Sequence, residues 1–177
     1  RVEDGELITL GRRQWVSLHT PGHTPDHLCL FDPESGVVFA GDHVLPSITA
    51  HIGGLDGFAE DPLAEFFSSL DRMAKLENVS VALPAHGHPF PDVKGRVEAI
   101  KEHHAERMEQ LREVGLALGP ATVVALSHEL FPKRHWGTMA ESETFAHLEH
   151  LAHSGDAERW EENGMLVYRM EPAGSAS

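Results

Sequence analysis

Three short segments of this 177-residue sequence hold residue types able to do chemistry together: Thr20-Pro21-Gly22-His23-Thr24-Pro25-Asp26-His27, Ala40-Gly41-Asp42-His43 and Leu83-Pro84-Ala85-His86-Gly87-His88. Each sets a His or an Asp beside Gly or Pro, just after a run that reads as a β-strand. A strand aims such a loop, and Gly and Pro let the backbone turn sharply enough for side chains to converge. Two neutral imidazoles, His23 and His86, with one carboxylate, Asp42, suit a borderline metal such as zinc with positions left open for water. A metal so held lowers the pKa of its water toward about 7 and polarises a scissile bond, which is hydrolase chemistry. Asp42 is the one acid placed to bridge two ions. Taken singly, each residue has a plainer role: His23 and His86 as loop histidines bonded to backbone, Asp42 as a turn cap. The recurrent strand-then-turn setting of all three together favours metal ligation.

The elements that must position these residues follow from periodicity. Leu7 to Leu10, Gln14 to His19, His27 to Phe31 and Val37 to Ala40 predict short strands, with turns at Gly11-Arg12-Arg13 and Asp32 to Gly36. Ser47 to Glu60, containing Gly53, Gly54 and Gly57, predicts a loop. Asp61-Pro62 opens a helix as N-cap and first helical residue, with Leu63, Phe66, Phe67, Leu70 and Met73 on one face. Val79 to Leu83 predicts the strand that delivers His86. A turn over Pro89 to Asp92 leads into a long amphipathic helix from Val93 to Val114. It carries Val97, Ile100, His104, Met108 and Leu111 on one stripe and is ended by Gly115 and Gly119-Pro120. Beyond Gly119-Pro120 the pattern predicts helices over Ala121 to Phe131 and Met139 to His153. Strands Ala157 to Trp160 and Met165 to Met170 follow, joined by an Asn163-Gly164 hairpin turn. Helix, helix, hairpin is the order of the second half of a winged helix. Domains are therefore expected at 1–116 and 117–171, with a disordered tail over 172–177.

Composition limits the function classes. Hydrophobic residues make up 41%, enough for a core, and the formal charge of −14 argues against polyanion binding through a basic surface. From Ala117 onward the bases Lys133, Arg134, Arg159 and Arg169 are outnumbered by acids. The helix Met139 to His153 carries Glu and His where a nucleic-acid reader needs Arg and Lys. No strong nucleic-acid binding is expected, and this part reads as a packing lid or a dimerisation element. No apolar run approaches the roughly 20 residues of a membrane span, and the start does not read as a signal peptide. The single cysteine, Cys29, excludes an internal disulfide and fits a cytoplasmic location. It reads as a core residue. His103 and His104 stand on the long helix, one facing its apolar stripe, where a buried, hydrogen-bonded His is the default. His147, His150 and His153 share a helix face, but no carboxylate-backed geometry makes them a second metal site. Trp15, Trp136 and Trp160 read as packing anchors, and Asp61 and Asp92 as caps.

At Thr20 to Thr24, Gly41-Asp42-His43 and Pro84-Ala85-His86-Gly87 the sequence resembles the later metal-binding motifs of metallo-β-lactamase-fold hydrolases. Arg96 to Ile100, His103 to Arg107, Gly119 to Thr122 and Glu143 to Leu148 resemble the lactamase-β-2-like branch, which carries a C-terminal winged helix. The resemblance covers about Gly5 to Arg169. It implies an α/β fold: the C-terminal half of a metallo-β-lactamase αβ/βα sandwich followed by a small winged-helix-like domain. It also implies a dinuclear site, usually zinc, held by His23, Asp42 and His86; another divalent metal is compatible. His27, His43 and His88 stand beside these ligands as outer residues that would hold a ligand or touch substrate.

The family's upstream His-x-His-x-Asp-His motif is not in this sequence; the nearest string, His86 to Asp92, has the wrong spacing. That motif carries the Asp that orients the attacking water, so no catalytic residue is assigned. The chain is therefore expected to be a fragment, weak or inactive alone. In the intact protein, the missing N-terminal half or a homodimer partner would cover the inner faces of strands such as Trp15 to Leu18 and Val37 to Phe39. The expected activity is a zinc-dependent hydrolase in which metal-activated water attacks an ester-, thioester- or phosphoester-like bond of a small molecule. The rivals are an RNA-cleaving nuclease of the same fold and a non-catalytic protein-binding module.

Overall fold

Side-chain alternation decides the first sheet of the computed structural model, which describes residues 2–54 and 59–172. Gly57, expected in a loop, and residues 173–177 of the expected tail lie outside the described residues. The strands are β1 (Leu7–Leu10), β2 (Arg13–His19), β3 (Leu28–Asp32), β4 (Val37–Gly41) and β5 (Val81–Pro84), side by side in that order. All neighbours are antiparallel except β4 and β5, which are parallel. Register pairs Val16 with Phe31, Phe31 with Val38, and Val38 with Ala82, so these residues share one face. That face buries Cys29, Phe31, Val38, Ala40 and Ala82. The opposite face carries Ile8, Trp15, Leu28, Leu30, Phe39 and Leu83. It is less covered: Phe39 is 45% exposed and Leu28 37%, although Trp15 is buried with its ring centroid 5.0 Å from that of Phe39.

Helices α1 (Pro62–Ala74) and α2 (Val93–Leu118) bury Phe66, Leu70 and Met73, and Val93, Val97 and Ile100, at helical spacing. Asp92 caps α2, its Oδ1 accepting from the Gly95 N–H at 2.8 Å. Packing divides the chain into two units. The first holds the residues up to His51 with Ala64–Glu102; the second holds Ile52–Leu63 and His103 onward.

The second unit contains β6 (Ala121–Thr122), α3 (Val123–Leu130), α4 (Thr138–His153), β7 (Ala157–Glu162) and β8 (Met165–Met170), with sheet order β6-β8-β7. Thr122 caps α3 through its hydroxyl. Asn163 and Gly164 turn the β7–β8 hairpin with φ of 52° and 75°, the geometry an Asn-Gly turn needs. Its core gathers Leu111, Leu126, Leu148, Leu151, Tyr168 and Met170.

Two expectations are corrected. Gly115 does not end α2, which runs on to Leu118. Gly115 instead makes room for β8: a Cβ there would lie 2.4 Å from Met170 Cγ. The stop is the other expected glycine, Gly119, at φ +74°, whose N–H caps the Gly115 carbonyl. Trp136 is not a packing anchor; it is 42% exposed and stacks on His128 with ring centroids 3.7 Å apart. Among the described residues no helix is long and apolar enough to cross a membrane.

Candidate metal centre

Three loops of the first unit carry the expected ligands, and each leaves the end of a strand. The first follows β2 and closes on itself, the Thr20 N–H donating to the His27 carbonyl at 2.9 Å. From α1, Ser69 donates to the Pro21 carbonyl (2.9 Å) and Arg72 to the His19 carbonyl (2.7 Å). Gly22, at φ +135°, lies flat on α1: a Cβ there would come within 2.6 Å of Phe66 Cβ. On this braced loop His23 sits half-buried, with Nδ1 2.8 Å from the His51 carbonyl. A carbonyl only accepts, so Nδ1 carries the proton and Nε2 of the neutral ring keeps its lone pair.

The second loop follows β4. Gly41 turns at φ +54°, and a Cβ there would lie 2.6 Å from His27 Nε2. The close approach lets the Asp42 N–H donate to His27 Nε2 at 3.2 Å, while His27 Nδ1 donates to Thr20 Oγ1 at 2.8 Å. His27 thus ties the Asp42 main chain, through Nε2, to Thr20, through Nδ1. Burial foremost, then the nearby His23 ring, lowers the His27 pKa, while Asp42 opposes the shift.

The third loop follows β5. His86 Nε2 approaches Asp42 Oδ1 to 3.3 Å, with the imidazole 69% exposed and the carboxylate 33%. Gly87, at φ +88°, admits Pro46, whose Cγ would stand 2.6 Å from an added Cβ. His88 is exposed.

His43 differs from its neighbours. Its ring is fully buried, 5.1 Å edge-on from Phe66 and 5.8 Å from His27 by ring centroids. Burial foremost, with the His27 ring, pushes its pKa down to about 3, against the opposing pull of the Ser69 backbone. His43 packs between Phe66 and His27.

The structure therefore brings Asp42 and His86 together and fixes the ring of His23. Among the described residues no group of three or more His, Cys, Asp or Glu side chains converges. The donors fit a borderline divalent ion in kind: a carboxylate, an exposed imidazole facing it, and an imidazole pinned by one nitrogen with the other open, as ligand histidines are held.

The histidines of the second unit are spent elsewhere. His104 Nδ1 and His147 Nε2 lie 2.9 Å apart, and His147 Nδ1 donates to the Glu143 carbonyl at 2.7 Å. His104 is thus the buried, hydrogen-bonded residue expected. His150 pairs with Asp61 at 2.9 Å, and His153 donates to the Glu149 carbonyl at 2.8 Å. His147, His150 and His153 share a helix, and each is bonded to a different partner. Cys29 is buried, and burial pushes its thiol up to about 12, as befits a core residue.

The chain is similar to several known proteins. Residues 1–86 match the family model described as the metallo-beta-lactamase superfamily. The chain is 31% identical over 172 residues to a probable metallo-hydrolase, YqjP, of Bacillus subtilis, covering 91% of this chain and 52% of that protein. It is 31% identical over 127 residues to a hydroxyacylglutathione hydrolase of Idiomarina loihiensis, covering 69% of this chain and 47% of that one. Among solved structures, a metallo-beta-lactamase family protein of Thermus thermophilus superposes with a TM-score of 0.84 at 37% identity, over 96% of this chain and 54% of the other. A beta-lactamase domain protein of Burkholderia ambifaria gives 0.86 at 32%, over 96% and 52%. The chain spans about half the length of these relatives.

Proposed function

Because the chain belongs to the metallo-beta-lactamase superfamily, we propose that it forms part of a zinc-dependent hydrolase acting on an ester- or thioester-like bond of a small acyl compound. His23 and His86 would hold metal and Asp42 would bridge. A relative named for hydrolysis of hydroxyacylglutathione supports an acyl substrate. The carrying observation is the 3.3 Å approach of His86 Nε2 to Asp42 Oδ1, two residues delivered by the ends of neighbouring parallel strands. When bound, the ion supplies the charge that acidifies water and polarises the bond to be cleaved. The chain's own residues do the rest. The His51 carbonyl selects the His23 tautomer, and His27 fixes the main chain of Asp42. The exposed His86 leaves the mouth of the site open to substrate. No residue of this chain is assigned as general acid or base.

Residues 117–171 read as a winged-helix-like lid or dimerisation element; their acidity counts against RNA as substrate. The less covered sheet face, with Phe39 and Leu28 exposed, supports a covering partner in the working protein, an N-terminal half or a second copy. On this reading the 177-residue chain binds metal but turns over slowly. A zinc titration combined with an ester and thioester assay tests both parts. Zinc uptake that falls in His86→Ala, with turnover well below that of a longer relative, is expected. Failure to take up zinc contradicts the metal reading and favours the second one, a non-catalytic binding module. The absence of a converging three-donor group among the described residues is what supports that alternative.

A further inference from the structure

The segment between Asp42 and His51 makes two contacts that bear on the two imidazoles. Its Pro46 fills the space above Gly87, the residue after His86. Its last residue, His51, offers the carbonyl that accepts the His23 Nδ1 proton at 2.8 Å. The segment has no regular secondary structure of its own, so something else must set its path. That path is held from α2 by one side chain. Arg96 Nε donates to the Leu45 carbonyl at 2.6 Å, and Arg96 Nη2 donates to the Ile48 carbonyl at 2.9 Å. The two carbonyls bracket Pro46 and lie a few residues before His51. A planar guanidinium fixes two acceptors in one plane; a lysine ammonium cannot. Val44, Leu45 and Ala50 are buried beside these bonds, so the segment is packed as well as tied.

We propose that Arg96 is a positioning residue for the metal centre: by clamping residues 45–48 it places the His51 carbonyl that sets the tautomer of His23 and the Pro46 ring that seats the His86 loop. Both of these bonds go to the main chain of this segment, and through it Arg96 acts. The inference rests on the metal reading given above, but its first consequence, the state of the His23 ring, exists without any metal.

The experiment uses the full chain, unsubstituted and as Arg96→Ala and Arg96→Lys. Nitrogen-15 NMR of the imidazoles, metal-free and at a pH where His23 is neutral, reports which ring nitrogen carries the proton. Zinc affinity is measured on the same samples by competition with a chromophoric chelator. The unsubstituted chain is expected to hold His23 as a single Nδ1–H tautomer. Arg96→Ala should give a mixture and weaken zinc about tenfold, the usual scale for a residue that orients a ligand. Arg96→Lys, which keeps the charge and the stem, should fall between. A purely structural role would lower the melting temperature without moving the tautomer. If Arg96→Ala does not fold, Arg96→Lys decides by the same criteria. A retained single tautomer, or undiminished zinc affinity, overturns the proposal. If the unsubstituted chain takes up no zinc, the metal reading fails, and the tautomer alone judges Arg96.

Discussion

Histidines in the two units share a residue type and differ in what their nitrogens do. His23 and His86 stand on loops at strand ends, half-buried and exposed, each with a nitrogen free to face an ion or a carboxylate. His104 and His147 stand on helices, buried, with one ring nitrogen of each turned on the other and His147 Nδ1 bonded to a backbone carbonyl. Abundance of histidine therefore says little about a site in this chain. What matters is whether the backbone delivers the ring to an edge, with one nitrogen pinned and the other left over. Glycine makes the difference in the first unit. Gly22, Gly41 and Gly87 each have positive φ and a neighbour where a Cβ would go.

The most damaging way to break the comparison is to put a side chain on one of those glycines. Gly22→Val meets both the backbone and the side chain of Phe66 within 2.8 Å and strains a φ of +135°. Urea melts should show a loss of about 3 kcal/mol, with zinc uptake lost as well. A comparable loss without the functional consequence is expected on the other side. Leu148→Ala, in the core of the second unit, should cost about 3 kcal/mol yet leave zinc affinity unchanged, as competition titration will show.

Removing a ligand should do the reverse. His86→Ala takes away a side chain that is 69% exposed, so its melting curve should move by less than about 0.5 kcal/mol. Its zinc affinity should fall at least about a hundredfold, more than the loss of an orienting residue costs.

The gentlest test is pH. Burial, with the neighbouring charges of His103, Arg107 and His150, pushes His104 down to about 3 and His147 to about 4, from an ordinary 6.5; the Glu143 carbonyl partly opposes this at His147. Below about 6.5 the unfolded chain therefore binds protons that the folded unit refuses. The stability from these two rings is full above that pH and is lost as pH falls toward 4. Denaturant melts between pH 7 and 4 should slope downward. The double variant His104→Leu, His147→Leu should flatten that slope. An unchanged slope would mean that the buried pair does not govern acid sensitivity.

Much of the scaffold was legible because it is local. Strand alternation, the Asp61-Pro62 and Asp92 helix starts and the Asn163-Gly164 turn all declare themselves within a few residues. The meeting of Asp42 with His86 was legible only conditionally, since it depends on β4 and β5 being neighbours, which no local pattern states. The glycine at 115 misled because its purpose lies far along the chain, at Met170. The exposure of Trp136 was hidden because its residue type suggests a core anchor, whereas its ring stacks on nearby His128. Least legible were Arg96 and the His51 carbonyl. Arg96 reaches back 51 residues to Leu45, and His51 contributes through its backbone, which no residue type announces.

The central question for this molecule is whether His23, Asp42 and His86 share bound metal. X-ray absorption at the zinc edge, on the full chain loaded with one equivalent of zinc, measures this directly. A first coordination sphere with imidazole nitrogens near 2.0–2.1 Å and a carboxylate oxygen, lost in the combined His23→Ala, Asp42→Ala, His86→Ala variant, is the expected result. A sphere of water oxygens with no imidazole signature, or one that the triple substitution leaves unchanged, would contradict it.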